Sequence, residues 1–272
     1  MSESNTVTPQ QFNTLCRRWR RFRKLSQLEL ALAANVSQRH LSWLETGRSQ
    51  PSRDMVVRLS EAMDIPLRER NALFQSAGFA ALYSESSLDE PAMAPVLEAL
   101  NHILEHHEPL PAFAVDRLWN VKKQNRAAHL MFSAAGVADK MQEIDGHTPD
   151  TNLALMTLHP GGLRRFIVNW EQAAPAFVSR LRSEAMSTAD PILHRELNRY
   201  IEIAGQGAPG EPSTAPLLPI LPLELDIDGL QLKLFSVIST FGTPQDITTD
   251  ELRIEAFYPL DESTRAFFQS IR

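Results

Sequence analysis

Cysteine is all but absent: Cys16 is the only one in 272 residues. A lone thiol cannot close an intramolecular disulfide or complete a zinc ribbon, so a reducing, cytoplasmic setting is expected. Aromatic residues are sparse, at 7%, which leaves most of the core to aliphatic side chains. No apolar run approaches the roughly 18 residues that a membrane span needs. Met1–Gln11 is polar and lacks the apolar stretch of a signal peptide. Also missing are a phosphate-binding Walker loop, HExxH, G-x-S-x-G and a dinucleotide fingerprint. No catalytic residue, cofactor or metal is therefore expected. His102 and His106 stand four apart, a spacing that suits a metal, but no third ligand accompanies them and a solvated helix face explains them. Asp226-x-Asp228-Gly229 is only a fragment of a calcium loop, and a hairpin turn accounts for it.

What is present is an ordinary globular composition, 43% apolar and 22% charged, in a chain long enough for one large domain or two modest ones. The charge is unevenly placed. Residues 1–83 hold twelve Lys and Arg against seven Asp and Glu, whereas residues 84–272 hold fifteen against twenty-six. A basic head on an acidic body implies that only the head meets a polyanion.

The head is periodic at helical spacing. Leu15, Trp19 and Phe22 line one face of a first helix, and Arg17, Arg18, Arg20, Arg21, Arg23 and Lys24 crowd the rest. Ser26 is a good N-cap for a second helix, Gln27 to Ala34, and Ser37 for a third, Gln38 to Thr46, which Gly47 ends. Asn35-Val36 makes the turn between them. Small Ala31 allows close packing over a shared core of Leu28, Val36, Leu41 and Leu44, a helix-turn-helix arrangement. A fourth helix follows Pro51-Ser52, with Met55, Val56, Leu59 and Met63 inward, and a fifth runs from Pro66 to Ala77. Trp43 either edges the groove or packs under the fourth helix, the latter favoured. Glu45 suits a structural role, pairing with an arginine or capping the loop.

The stretch LSQLELALAANVSQRHLSWLETGRSQPS resembles the XRE family, the DNA-binding fold of lambda-type repressors, over residues 12–78. The resemblance makes the third helix the recognition helix, whose first residues face base edges: Gln38, Arg39 and, one turn on, Ser42. Gln pairs bidentately with adenine and Arg with guanine. Gln27, Ser37, Thr46, Arg48 and the weaker candidate Arg53 are the implied phosphate contacts, which hold register without reading sequence. One such motif reads few base pairs, so a homodimer on an inverted-repeat operator is expected.

Residues 81–92, polar with prolines nearby, are expected to link domain 10–80 to domain 93–272. In the body, a helix from about Met93 to His107 precedes a hairpin with Phe113, Val115 and Trp119 or Val121 inward. Asn125 to Phe132 should be helical, and 151–204 mostly so, with a break at His159-Pro160-Gly161-Gly162; residues 205–216 are a Gly- and Pro-rich loop. Leu221, Leu223, Leu225 and Ile227 alternate before Asp228-Gly229, Leu230, Leu232 and Leu234 follow, and Leu252, Ile254, Ala256 and Tyr258 form another strand. The body is thus α+β, a small antiparallel sheet carrying helices.

Four phrases in order, AVDRLWNVKKQNRAA, LHPGGLRRFIVNWE, LKLFSVISTFGTPQDIT and ELRIEAFYPLDEST, resemble the MmyB-like ligand-binding domain over residues 90–270. That resemblance implies a PAS-like fold around an apolar pocket, a fatty acid as ligand, and a DNA-binding transcription regulator, here a repressor. Candidate pocket residues are Phe113, Trp119, Phe166, Trp170, Phe235, Phe241 and Phe257, with Asn120, Arg164, Asn169 and Thr240 as polar anchors. The alternative is a body that only dimerises or holds a protein partner, as in an antitoxin.

Overall fold

The computed structural model describes residues 11–137, 151–188, 190–205 and 220–271. It groups the chain into two units: one contains the chain through Glu85 together with Pro244–Asp250, and the other Ser86–Thr243 with Glu251 onward.

The first unit opens with five helices: α1 (Phe12–Phe22), α2 (Gln27–Ala33), α3 (Gln38–Glu45), α4 (Arg53–Ala62) and α5 (Leu67–Ser76). Local chemistry sets each start. The Ser26 hydroxyl accepts from Glu29 N–H at 3.1 Å while the Glu29 carboxylate accepts from Ser26 N–H at 2.7 Å, a reciprocal capping box on α2. Ser37 caps α3 by accepting from His40 N–H at 3.1 Å, and Ser52 caps α4 by accepting from Met55 N–H at 3.2 Å. The α2–α3 turn puts Asn35 at φ 53, a left-handed conformation that Asn tolerates. Leu30, Leu41 and Leu44 are fully buried beside Ala31. Leu28, expected in that core, is instead 52% exposed. It shares an outward face with Leu32, four residues on, because Leu30, Ala31 and Ala34 take the inward side of this short helix. Phe22, expected on the inner face of α1, is 39% exposed at the helix end.

The connection after α5 is fastened down at its start. The Asn71 amide oxygen accepts from Leu82 N–H and Tyr83 N–H at 2.9 and 3.0 Å, and its NH2 donates to Tyr83 O at 2.8 Å. Arg68 pairs with Glu85. The stretch 81–92 therefore divides, since residues 82–85 belong with α5.

The second unit is built on one antiparallel sheet in the order β2-β1-β5-β4-β3. The strands are β1 (Ala112–Val115), β2 (Val121–Gln124), β3 (Leu223–Ile227), β4 (Leu230–Thr240) and β5 (Arg253–Pro259). Asp228 and Gly229 join β3 to β4 with φ 51 and 92, the two positive values that a tight two-residue hairpin requires. α6 (Ala94–His106) covers one face, where Leu100 packs with Ala114 and Ile254, and Leu104 with Ala112 and Ala256. The opposite face carries the main core with α7 (Arg126–Ala134), α8 (Leu153–Leu158), α9 (Trp170–Met186), α10 (Pro191–Ile203) and α12 (Glu262–Ser270). In chain order a short helix α11 (Ile247–Glu251) falls between β4 and β5, and all of it but Glu251 groups with the first unit. The expected break at 159–162 separates α8 from a 3-10 turn, Leu163–Phe166. A Cβ at Gly162 would stand 2.2 Å from Met156 O, so this approach admits only glycine. Apart from Gly205, the loop expected at 205–216 lies outside the described residues.

Candidate functional site

The arginines of the first unit sort by partner. Half-buried Arg20 meets buried Glu45 in a two-pronged pair, Nε–Oε1 2.5 Å and Nη2–Oε2 2.8 Å, and donates to Leu25 O at 2.9 Å. Gln27 adds a third donor, Nε2 to Glu45 Oε2 at 2.8 Å. Burial alone would raise the Glu45 pKa, but the hydrogen bonds from Arg20 and Gln27, with the charges of Arg20 and Arg17, hold it below the ordinary carboxylate range. The network locks α1 to the start of α2 and the end of α3. Arg23 donates to Met63 O, Arg70 to Ile65 O, and Arg58 pairs with Asp54. By contrast Arg17, Arg18, Arg21, Lys24 and Arg48 are exposed, and no side-chain hydrogen bond or ion pair engages them among the described residues.

On α3, Gln38 and Arg39 are exposed and Ser42 half-buried. The Arg39 guanidinium lies over the Trp43 ring at 4.6 Å. Trp43 does not pack under α4: it is 39% exposed and serves as the plate on which Arg39 rests. Ser37 is spent on its cap, and the Thr46 hydroxyl donates to Ser42 O at 2.8 Å. Arg53, at the start of α4, lies over buried Phe74 of α5 at 5.3 Å. Gln27 has its amide turned to Glu45, while Arg48 extends freely.

The second unit contains a cavity of about 270 Å³. Its walls are Met131, Phe132, Leu153, Leu158, Phe177, Leu181 and Phe257, with Arg180, Glu255, Ser236, Thr157 and Trp119 as the polar edges. Trp119 sits in the β1–β2 connection at φ 67, a conformation that bulky residues rarely adopt and that costs of order 1–3 kcal/mol. An Asp116 turn holds it, accepting from Leu118 N–H and Asn120 N–H at 2.8 and 2.9 Å. The indole N–H donates to Glu184 Oε2 at 3.0 Å. Arg180 stacks on the same indole at 4.3 Å and donates from Nε to Glu184 Oε1 at 3.2 Å. Arg253 Nη1 reaches that oxygen at 2.7 Å. Glu255 is 4% exposed, with Arg180 Nη1 3.7 Å away. Burial pushes its pKa up and nearby Glu184 adds to this; Arg180 and a hydrogen bond with Ser236 oppose the rise without cancelling it. At 3.7 Å, with Glu184 drawing on the same guanidinium, the Arg180 attraction is too weak to offset desolvation.

Of the candidate pocket residues, Trp119, Phe235 and Phe257 border the cavity; the Phe235 ring stacks on Tyr258 at 5.4 Å. The other eight do not line it. Phe113 is fully buried behind the wall, edge-on to Phe132 and Phe257. Asn120 donates to Asp116 and accepts from Asn152. Asn169 donates to Pro222 O and accepts from Glu224 N–H. Arg164 lies over Trp170 at 4.5 Å and donates to Ile203 O. The Phe166 ring lies under Arg165. Thr240 ends β4 in register with Arg253, and Phe241 packs on the α6 side of the sheet. The sequence reading misses Arg180, Ser236 and Glu255. A signal for two of them exists in the sequence: Arg180 interrupts the inward stripe Ala173–Phe177–Leu181 of α9, and Glu255 breaks the apolar run Ile254–Phe257.

Two family models match the chain. One, described as helix-turn-helix, covers residues 17–70. The other, described as the MmyB-like transcription regulator ligand binding domain, covers residues 96–271. No curated protein matches it. Among the described residues no helix is long and apolar enough to cross a membrane. The cavity falls inside the ligand-binding match, and the Arg39-bearing helix inside the other. The chain belongs to the MmyB-like transcription regulators, with a helix-turn-helix DNA-binding region ahead of the ligand-binding domain.

Proposed function

We propose that this regulator is a cytoplasmic homodimeric repressor of an inverted-repeat operator, relieved or engaged by an anionic amphiphile such as a fatty acid. Gln38, Arg39 and Ser42 read bases, and Arg48 with Arg53 holds phosphates. The observation that carries the ligand reading is the cavity's division of labour. Its walls are aliphatic and aromatic, and its polar groups converge on Arg180 and Glu255. At about 270 Å³ it sits near the lower bound of roughly 300 Å³ typical of ligand pockets. Each methylene drawn from water into it contributes about 0.8 kcal/mol. Burial raises the Glu255 pKa and so weakens its hold on Arg180, whose guanidinium can grip a carboxylate head with paired hydrogen bonds in competition with Glu184.

The test compares native and denaturing mass spectra of the full chain, then follows melting temperature across a series of saturated fatty acids. A mass excess lost on denaturation, and a melting temperature that climbs with chain length, are expected. No excess together with no thermal shift would leave the body as a dimerisation or protein-docking module.

A further inference from the structure

Seven residues that follow strand β4 of the ligand-binding domain in chain order fold as part of the DNA-binding unit. β4 ends at Thr240 and β5 begins at Arg253, yet Pro244–Asp250 groups with the chain through Glu85. The attachment is specific. α5 starts after Pro66, which offers no side-chain cap. Its first amide, Leu67 N–H, donates to the Asp250 carboxylate at 3.0 Å, a cap supplied from 183 positions away. The Ser84 hydroxyl donates to Asp246 Oδ2 at 2.8 Å, and Ile247 N–H donates to Ser84 O at 2.9 Å. Ile247 is 3% exposed and Thr249 7%. α5 in turn carries Phe74, beneath the phosphate candidate Arg53.

The two ends of this segment run into the cavity wall. β4 contributes Phe235 and Ser236, and β5 contributes Glu255 and Phe257. Three residues past Asp250, Arg253 holds the same Glu184 oxygen that holds Arg180. Glu251 lies 3.5 Å from Arg117, which pairs with Asp190 at 2.7 Å. Any ligand head that takes hydrogen bonds from Arg180 changes how Glu184 is shared with Arg253, at the foot of the segment.

We propose that the β4–β5 connection is the transmission element of this regulator, carrying the state of the Arg180–Glu184–Arg253 cluster to the N-terminus of α5 and so to the DNA-facing side of the unit. It rests on the cavity being a ligand site only for the origin of the signal, so the test has one arm with ligand and one without. Coupling of this kind is a difference in ligand affinity between two arrangements, and it is reciprocal.

The experiment uses the full chain, a duplex selected from a randomised pool, and dodecanoate as probe. In the first arm, dodecanoate changes duplex affinity by about fivefold or more in the natural sequence, and duplex changes dodecanoate affinity by the same factor. In Asp246→Ala/Asp250→Ala both ligands still bind, but each influences the other less than about twofold. Retention of the full mutual effect in that variant overturns the proposal. In the second arm, Arg180→Ala is compared with the natural sequence by amide hydrogen exchange, without ligand. Faster exchange across Pro244–Asp250 and the first turn of α5 is expected. Unchanged exchange there overturns the proposal even if dodecanoate fails to bind, an outcome that by itself counts only against the fatty-acid reading.

Discussion

Arg39 on Trp43 in one unit and Arg180 on Trp119 in the other are stacks of the same kind that differ in what surrounds them. Arg39 lies 4.6 Å over Trp43 on an exposed helix face, and no carboxylate pairs with it among the described residues. Arg180 lies 4.3 Å over Trp119 at the cavity wall, with Glu184 at 3.2 Å and Glu255 at 3.7 Å. A stacked guanidinium keeps its edge donors free, because the ring takes its face. At Arg39, on an exposed helix face, those donors are left to solvent. At Arg180 they are shared with carboxylates, so an incoming anion must compete, and it competes best when Glu255 holds a proton. The same stack thus leaves its donors to solvent in one place and shares them with carboxylates in the other.

The largest effect that separates the two is expected at Arg39. Arg39→Ala should cost about 1–3 kcal/mol of discrimination at one base pair. Titrating duplexes altered at every position in turn should show preference lost at that position alone, and uniform weakening at all positions would make Arg39 a phosphate contact.

Next comes Glu255. Its carboxyl keeps a proton in the folded state at pH values where the unfolded chain has released it. Stability therefore falls as pH rises from the ordinary carboxylate range through the raised value, and is level above it. Glu255→Gln should remove that slope and stabilise the protein at neutral pH. Urea melts across pH decide it: a slope that survives in the variant places the titration elsewhere. The smallest effect is expected for Trp43→Ala, which leaves Arg39 its donors but removes its plate. About 0.5–1 kcal/mol of operator affinity should be lost, with the base preference kept.

Much of the DNA-binding unit was legible because its determinants are local. Ser26, Ser37 and Gly47 act within a turn of where they stand, and the apolar spacing of α1 to α5 follows from 3.6 residues per turn. The cavity was legible only as an expected pocket, since its polar edge gathers Trp119, Thr157, Arg180, Ser236 and Glu255 from regions far apart in the chain. β5 shows why. It is buried on both faces, Ile254 and Ala256 toward α6 and Glu255 and Phe257 toward the cavity, so alternation singles out one apolar face and hides the other. Arg164 and Arg180 each lie over a tryptophan, and packing alone puts Arg180 and not Arg164 at the cavity. The cap that Asp250 lends to α5 has no local signature at all.

That borrowed cap constrains how the gene for this chain can change. A single crossover between the coding regions for the two units would hand α5 to a new body lacking Asp246, Ile247 and Asp250, leaving a helix start unpaired and an apolar site unfilled. Exchange of heads requires two joined events, one near residue 85 and one inside the β4–β5 connection. On the proposed assignment of base reading to Gln38, Arg39 and Ser42, specificity is free to drift by point substitution, whereas the unit bearing that helix is inherited with its ligand-binding domain.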